Sequence, residues 1–263
     1  MKRSICPYLV FLFISILAVT GCSPKVHCDQ SNVNDGCLRV LFIGNSYTYV
    51  NDFPATFSTL AYSGNHLVET GMLAQGGWTL EEHASDANTA TTLASMSWDY
   101  VVLQEQSEIP AFEQSRIASM YPAARQLVNS VRAQNAKPIF FLTWAHRDGM
   151  PDNGYPDFTS MQTQITLGYR TIANQLAAPI APVGVAWADA IKQSPGLDLW
   201  QSDGSHPTIN GTYLAACVLY AVVFRESPVG LSSPSQVDGN TARVLQTIAS
   251  EVVLNNPAEW NLH

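Results

Sequence analysis

The sequence is poor in charged residues, and cations are the scarcer sign. Asp, Glu, Lys and Arg make up 13% of the 263 residues, and 13 Lys and Arg stand against 21 Asp and Glu, for a formal net charge of -8. No cluster of Lys and Arg occurs along the chain. A nucleic acid is therefore not expected as a partner. A strongly polyanionic substrate is disfavoured for the same reason.

Cysteine is also scarce, and no spacing of Cys and His is typical of a metal site. Cys217 falls in an apolar stretch and is predicted to be a small, buried apolar residue. Cys28 and Cys37 flank a polar stretch, so they could form a disulfide in an oxidising compartment. Two free thiols in a tether are the equal alternative.

The sequence has an apolar run near its start that is too short to span a membrane. It covers residues 5–19, whereas a transmembrane helix needs about 20 residues. Lys2 and Arg3 precede it and form a positively charged start. Residues 1–21 are therefore predicted to be a signal peptide.

The end of this run, Val-Thr-Gly-Cys22, resembles the lipobox of bacterial lipoproteins. The resemblance implies that Cys22 is diacylated and becomes the new N-terminus, so that a lipid anchor binds the protein to a membrane. It implies an exported lipoprotein, in the outer membrane or periplasm if the host is Gram-negative. An ordinary signal peptide with an incidental Cys22 is the alternative.

The remainder is predicted to be a short tether (22–37) and one α/β domain (38–263), which is long enough to bury a substantial core. Apolar runs alternate with helical patterns, and this order indicates a parallel sheet covered by helices. The predicted strands are 39–43, 66–74, 100–103, 138–142 and 180–187. The predicted helices are 54–63, one that begins just after Gly76-Gly77, 113–134, 158–176, 208–224 and 235–254.

Ser46 stands at the carboxyl end of the first predicted strand, within Gly44-Asn45-Ser46. Ligands of open parallel sheets bind beyond this edge. The backbone N–H of a serine placed there points into the crevice, where it can bind an oxyanion. Ser46 is therefore the candidate nucleophile, and a serine that only caps a turn or helix is the alternative.

Asp203 and His206 are the candidate acid and base. They lie in Asp203-Gly-Ser-His206-Pro, just before a predicted helix. An Asp three residues before a His can accept the imidazole Nδ1–H within one loop and so orient the base. His146 also follows a strand at the correct edge, but Thr143 occupies the position three residues before it. His146 is expected to line the pocket instead. For the Asp203 segment alone, a capping Asp and a surface His are the alternative.

Taken together, these motifs resemble the SGNH (GDSL-like) hydrolase superfamily over most of the mature chain. The segment around Ser46 matches the nucleophile block, with Asn45 in place of the frequent Asp. Gly77 matches the oxyanion glycine of the second block, and Asp203 and His206 match the last block. The resemblance implies a three-layer α/β/α sandwich with a central five-stranded parallel sheet, flavodoxin-like in topology. It implies a serine hydrolase that uses no metal or cofactor.

The third block departs from the usual Gly-x-Asn-Asp pattern, because the third strand runs into Gln104-Glu-Gln106. This looks like branches of the superfamily that include sialate-type and other carbohydrate acetylesterases, in which a Gln stands near that position. The oxyanion hole is then expected to combine the N–H groups of Ser46 and Gly77 with a Gln side chain. Gln104 is the predicted donor because it is the first polar residue after the strand, and Gln106 is the alternative.

The combined prediction is a serine ester hydrolase that works through an acyl-enzyme, with an acetylated polysaccharide or glycoconjugate of the cell envelope as substrate. Trp78, Trp144 and His146 are predicted to contact the substrate, and for the two tryptophans ordinary packing is the equal alternative. Two other functions stay open. One is a lipase, lysophospholipase or thioesterase for longer acyl chains, and the other is a non-catalytic carbohydrate-binding lipoprotein. A transacylase is possible as well, since an acyl-enzyme can react with a sugar hydroxyl.

Overall fold

The computed structural model describes residues 27–29 and 36–262. The predicted signal peptide (1–21), the lipidation site Cys22 and most of the predicted tether lie outside these residues. Five parallel strands form one sheet: β1 (Cys37–Gly44), β2 (Leu67–Ala74), β3 (Tyr100–Leu103), β4 (Lys137–Phe141) and β5 (Ile180–Ala181). Their order across the sheet is β2-β1-β3-β4-β5, which is the flavodoxin-like order.

Two groups of helices cover the sheet. The helices are α1 (Ser46–Tyr49), α2 (Phe53–Ser63), α3 (Leu80–Ser85), α4 (Ala87–Ala94), α5 (Glu113–Ser115), α6 (Tyr121–Ala133), α7 (Phe158–Leu176), α8 (Val183–Gln193), α9 (Ile209–Phe224) and α10 (Gly239–Leu254). Helices α2, α8, α9 and α10 pack against one another, and α3, α4 and α7 pack on α6. The result is the predicted three-layer α/β/α sandwich around a five-stranded parallel sheet.

Helix α9 forms much of the core on its side of the sheet. Every residue from Gly211 to Val223 is buried, and Cys217 among them is a free, buried thiol, as its apolar surroundings predicted. A helix that is apolar all round is stable only when other elements enclose it, and α2, α8 and α10 do so. Within the described residues, no helix is long and apolar enough to cross a membrane.

The predicted fifth strand, 180–187, is wrong over most of its length. The strand ends at Ala181, and α8 begins at Val183 after Pro182. The stretch is buried both in the strand and in the first turns of the helix. A short, continuous apolar run does not distinguish a buried strand from a buried helix, because neither has a polar face to reveal its period.

Cys28 and Cys37 form a disulfide, which settles the open choice between a bridge and two free thiols. The bridge fastens the segment before the sheet to the first residue of β1. Closing a loop of this length stabilises a fold by about 2–3 kcal/mol in the chain-entropy account.

The site region follows from the strand order. β1 lies between β2 and β3, and the direction in which successive strands are added to the sheet reverses beside it. Ligands of such sheets bind outside the carboxyl ends of the strands at this reversal. The segments that follow β1 and β3, which contain Ser46 and Gln104, therefore meet there.

Candidate active site

The turn that carries Ser46 is shaped by the residues on either side of it. Asn45 caps α1, its Oδ1 accepting the N–H of Tyr47 at 3.1 Å, while its Nδ2 donates to the carbonyl of Trp78 at 2.8 Å. A Cβ on Gly44 would collide with the Thr48 hydroxyl and with the side chain of Gln104. The sharp exit from β1 thus requires glycine, and Asn45 ties the nucleophile turn to the segment that follows β2.

Ser46, His206 and Asp203 form a continuous hydrogen-bonded chain. Ser46 Oγ lies 2.9 Å from His206 Nε2, and His206 Nδ1 lies 2.6 Å from Asp203 Oδ2. This is the arrangement in which an imidazole takes the proton of a serine and a carboxylate stabilises the resulting imidazolium. The structure therefore brings the three predicted catalytic residues together in the order that the chemistry needs.

Asp203 is a half-exposed carboxylate, with 47% of its side chain open to solvent. Its Oδ1 accepts the backbone N–H groups of Ser205 at 2.9 Å and of His206 at 3.0 Å. Its partial burial opposes ionisation, but these N–H groups and the His206 side chain outweigh it and lower the pKa of Asp203. The loop is fixed from outside as well, since Arg147 N–H donates to the Gly204 carbonyl at 2.8 Å.

Two backbone N–H groups are free to bind an oxyanion. Within the described residues, neither Ser46 N–H nor Gly77 N–H has an acceptor in the protein. Gly77 lies in a turn closed by the bond from Trp78 N–H to the Gln75 carbonyl, and its φ of +75° favours glycine. Ser46 and Gly77 both line the same pocket, as the oxyanion assignment of both residues requires.

Gln104 does not reach this pocket, so its predicted role as the third oxyanion donor is wrong. Its side chain is buried, and its Oε1 accepts both the N–H of Asn45 and the hydroxyl of Thr48 at 2.9 Å. Its Nε2 donates to the carbonyl of Glu105. Gln104 instead holds the nucleophile turn against the end of β3.

Gln106, the alternative, stays the candidate for the third oxyanion donor. It lines the pocket together with Ser46 and Gly77. Its Oε1 accepts the backbone N–H groups of Glu108 at 2.8 Å and Ile109 at 3.2 Å. These two bonds fix the amide orientation, and the Nε2 donor lies 3.4 Å from the hydroxyl of Ser107, another residue of the pocket wall.

We expect Gln106→Ala to lower kcat on a small ester by about 10²–10³-fold, the usual cost of removing one oxyanion donor. Gln106→Glu is expected to lower it at least as much, because a carboxylate would replace the donor. Steady-state kinetics of both variants would measure this, with Gln175→Ala on the exposed face of α7 as the control. Wild-type kcat in Gln106→Ala would remove Gln106 from the oxyanion hole.

The pocket beside Ser46 is small, with a volume of about 250 Å³, and several hydroxyl groups form part of its wall. Tyr47, Ser107 and Ser205 line it, and Tyr47 OH lies 2.7 Å from Ser205 Oγ. Burial raises the pKa of Tyr47 to about 12, so its hydroxyl stays protonated. The sequence motifs did not indicate that Ser107 and Ser205 line the pocket. Their positions next to Gln106 and His206 in the sequence could have suggested it.

A bigger cavity of about 590 Å³ lies elsewhere, lined by α2, Ile209 and residues 232–236. It contains none of the three triad residues. No group of three His, Cys, Asp or Glu side chains suited to hold a metal occurs in residues 27–29 and 36–262. The catalytic chemistry is therefore assigned to the smaller pocket, which Ser46 and His206 line.

His146, which was predicted to line the pocket, is not among the residues that form its wall, but its Nε2 lies 3.4 Å from Ser107 Oγ, which is. Burial lowers the pKa of His146, although Glu108 and Asp203 oppose this shift, so the ring is neutral at neutral pH. A neutral ring can donate to or accept from a substrate hydroxyl. Its substrate-binding role stays a prediction.

The two predicted substrate-contacting tryptophans differ. Trp144 is only 1% exposed, and its ring is stacked between Tyr47 at 4.5 Å and Trp187 at 4.1 Å. Both of its faces are covered, so the prediction that it contacts substrate is wrong; it supports Tyr47 and donates to the Ser205 carbonyl at 2.9 Å. Trp78 is half-buried beside Gly77 and stays a candidate.

Comparison with known proteins identifies the fold. No family model matches the chain, and no curated protein matches it. A solved DUF4886 family protein from Bacteroides uniformis is 22% identical, with 83% of this chain and 95% of that one covered and a TM-score of 0.73. A putative SGNH hydrolase from Slackia heliotrinireducens is 29% identical, with coverage of 70% and 97% and a TM-score of 0.59.

A mutant of an acetyl-xylooligosaccharide esterase from Geobacillus Stearmophilus is 14% identical, with 70% of this chain and 92% of that one covered and a TM-score of 0.55. These structures confirm the predicted α/β fold, and the fold is that of the SGNH hydrolases. They support the resemblance to that superfamily. Fold and site are consistent with a carboxylic ester hydrolase.

Proposed function

We propose that the protein is a serine carboxylic ester hydrolase that removes acetyl groups from a polysaccharide or glycoconjugate in the cell envelope. The observation that carries the proposal is the chain of hydrogen bonds from Ser46 through His206 to Asp203. It ends in a pocket where the unpaired N–H groups of Ser46 and Gly77 can receive a negatively charged oxygen. These are the parts required for acyl transfer through a serine.

In the acylation step, Ser46 Oγ attacks the ester carbonyl carbon and its proton passes to His206 Nε2. The carbonyl electron pair moves onto the oxygen, which accepts hydrogen bonds from Ser46 N–H, Gly77 N–H and the Gln106 amide. The bond to the leaving alcohol then breaks, and His206 returns the proton to the departing oxygen. The product of this half-reaction is an acyl-Ser46 ester and a free alcohol.

In the deacylation step, a water molecule takes the place of the alcohol. His206 removes a proton from the water as its oxygen attacks the acyl carbon, and the same donors hold the second oxyanion. Collapse releases the carboxylic acid and returns the proton from His206 to Ser46 Oγ. Asp203 stays ionised throughout and keeps the Nε2 of His206 directed at Ser46.

The size of the pocket and the hydroxyl groups in its wall favour a short acyl group. At about 250 Å³, with the hydroxyls of Tyr47, Ser107 and Ser205 in its wall, it offers no long apolar surface for an acyl chain. Burying methylene groups against these hydroxyls forfeits part of the hydrophobic gain and keeps water from polar groups. Acetyl is the acyl group that fits these limits.

A carbohydrate as the alcohol part of the substrate is supported by three features. Polar donors and acceptors surround Ser46, half-buried Trp78 adjoins the oxyanion loop, and one structural neighbour is an acetyl-xylooligosaccharide esterase. The lipobox-like ending at Cys22 supports an exported protein held to a membrane by a lipid. In that location, acetylated envelope glycans are esters within reach.

We expect the purified protein to hydrolyse p-nitrophenyl acetate with a kcat/KM at least about 10²-fold above that for the octanoate ester. The reason is that an octanoyl chain would have to lie against the pocket hydroxyls, which costs desolvation, while it would not gain the roughly 0.8 kcal/mol per methylene that burial in an apolar groove supplies. Rates on acetate, butyrate and octanoate esters would measure the preference, with Ser46→Ala protein as the blank. Acetate release from an acetylated xylo-oligosaccharide would test the carbohydrate part.

A preference for octanoate would replace the proposal by a lipase, lysophospholipase or thioesterase. Folded protein without Ser46-dependent turnover of any ester would favour a carbohydrate-binding lipoprotein or a transacylase that does not use water. Adding a sugar acceptor to that assay and following acetyl transfer by mass spectrometry separates these two.

A further inference from the structure

Glu105 is a buried acidic residue directly behind the proposed oxyanion hole. It follows β3 between Gln104 and Gln106, and it is 0% exposed. Its backbone N–H donates to the hydroxyl of Tyr169 on α7 at 3.1 Å. Within the described residues its side chain has no basic partner, and its Oε2 has no hydrogen-bond partner at all.

The other carboxyl oxygen of Glu105 holds two backbone groups at once. Oε1 accepts Leu80 N–H at 3.0 Å and Gln106 N–H at 2.7 Å. Leu80 is the first residue of α3 and lies three residues after Gly77, so it fixes the end of the oxyanion loop. Gln106 carries the side-chain donor. One oxygen atom thus links the two donor-bearing segments that come from separate strands.

This link is separate from the one that holds Ser46. Gln104 accepts Asn45 N–H and so fixes the nucleophile turn, whereas Glu105 fixes the segments of Gly77 and Gln106 relative to each other. The capping box of α3 satisfies the N–H groups of Thr79 and Glu82, whereas the N–H of Leu80 is bound by Glu105. Because the same oxygen also accepts Gln106 N–H, the carboxyl group does more than satisfy a helix terminus.

A buried carboxylate is costly unless it is paired with a cation and hydrogen-bonded, and otherwise its pKa shifts so that it is neutralised. Burial raises the pKa of Glu105 to about 7, and Glu81 and Glu82 of α3 add to the shift against its two backbone partners. A proton on Oε2 leaves Oε1 free to accept both N–H groups, so the link persists in either protonation state. A Gln in this place would keep the same acceptor.

Resting on the hydrolase function proposed above, we propose that Glu105 is a positioning residue that sets the distance between the Gly77 and Gln106 donors of the oxyanion hole. Its action is indirect, since it touches neither Ser46 nor the pocket surface. Loss of the link lets the two donors move apart, and a displacement of about 1 Å at such a site costs up to about 10²-fold in rate.

The test compares Glu105→Leu, Glu105→Gln and the control Glu82→Ala, all in the full protein. Glu105→Leu removes the acceptor, and we expect kcat on p-nitrophenyl acetate to fall about 10–100-fold with KM within about twofold. Glu105→Gln keeps an acceptor oxygen and is expected to stay within about fivefold of wild-type kcat. Glu82→Ala breaks the capping box of the same helix, so it shows what loosening α3 does by itself.

A second readout separates positioning from general loosening. Methylboronic acid forms a tetrahedral adduct on a serine and places an oxygen in the oxyanion hole, so its affinity follows transition-state binding. We expect its inhibition constant to rise in Glu105→Leu by about the same factor as kcat falls, and to stay unchanged in Glu82→Ala. If Glu105→Leu does not fold, Glu105→Asp, one methylene too short to reach both N–H groups, is expected to show the same pattern with a smaller loss.

Three results would overturn the inference while leaving the hydrolase intact. They are wild-type kcat in folded Glu105→Leu or Glu105→Asp, an equal kcat loss in Glu82→Ala at equal melting temperature, and unchanged boronate affinity. Absence of Ser46-dependent turnover in the wild-type protein would instead overturn the hydrolase function, and the role of Glu105 with it.

Discussion

Ser46→Ala is expected to lower kcat on p-nitrophenyl acetate by about 10⁴–10⁶-fold, to near the rate without enzyme. The hydroxyl that this change removes is the one that lies 2.9 Å from His206 Nε2. Without it, no acyl-enzyme forms, and the remaining donors can only assist a direct attack by water. The fold should be kept, because Ser46 is at the pocket and its Oγ has no other partner in the described part of the chain.

The control for this experiment is a second serine and histidine pair, of which Ser107 lines the same pocket. Ser107 Oγ lies 3.4 Å from His146 Nε2, which is longer than the Ser46 contact, and among the described residues no carboxylate is hydrogen-bonded to the His146 ring. We expect Ser107→Ala to lose less than about tenfold in kcat. Mass spectrometry after treatment with a sulfonyl fluoride should show one adduct, on Ser46. A labelled Ser107, with activity preserved in Ser46→Ala, would move the nucleophile to the second pair.

The triad could be predicted from the sequence because each of its parts depends on local rules. A serine directly after a buried strand lies at the sheet edge where ligands bind, whatever the rest of the fold does. Asp203 and His206 are three residues apart in one loop, and the contact between them at 2.6 Å needs only that loop. The sheet order and register then bring the two segments together.

The third oxyanion donor could not be predicted from the sequence by the same local rules. Gln104 was favoured as the first polar residue after β3, but sheet pairing extends one residue further, since Gln104 N–H donates to the Ile43 carbonyl at 2.9 Å. Its side chain consequently turns toward the neighbouring nucleophile turn and is buried there. Where a strand ends in hydrogen-bonding terms depends on its neighbour, and the sequence of one segment does not contain that information.

The predictions for Trp144 and for the fifth strand were wrong for a related reason. A tryptophan after a strand is equally suited to bind a sugar or to pack in the core, and only the rings of Tyr47 and Trp187 on its two faces decide the matter. Likewise, the apolar run from Ile180 onward suits a buried strand and a buried helix equally, and it is helix from Val183 onward. Both cases depend on tertiary partners that are distant in sequence.

His206→Ala is expected to cost about as much as Ser46→Ala, about 10⁴–10⁶-fold in kcat, because neither residue works without the other. The imidazole is the only group within hydrogen-bond distance of Ser46 Oγ in the described residues. For the same reason the two losses should not add. The Ser46→Ala/His206→Ala double variant is expected to be no slower than either single variant within about threefold.

Two further variants, Asp203→Asn and His146→Ala, provide losses of activity with which the loss in His206→Ala can be compared. Asp203 orients the base and stabilises its charged form but takes no proton itself, and it is half exposed, so we expect Asp203→Asn to lose about 10²–10⁴-fold, less than the loss of His206. His146→Ala should alter KM for a carbohydrate ester more than kcat for p-nitrophenyl acetate. If His146→Ala were the inactive variant and His206→Ala kept its turnover, the base would be His146. The 2.9 Å contact between His206 and Ser46 would then have no catalytic role.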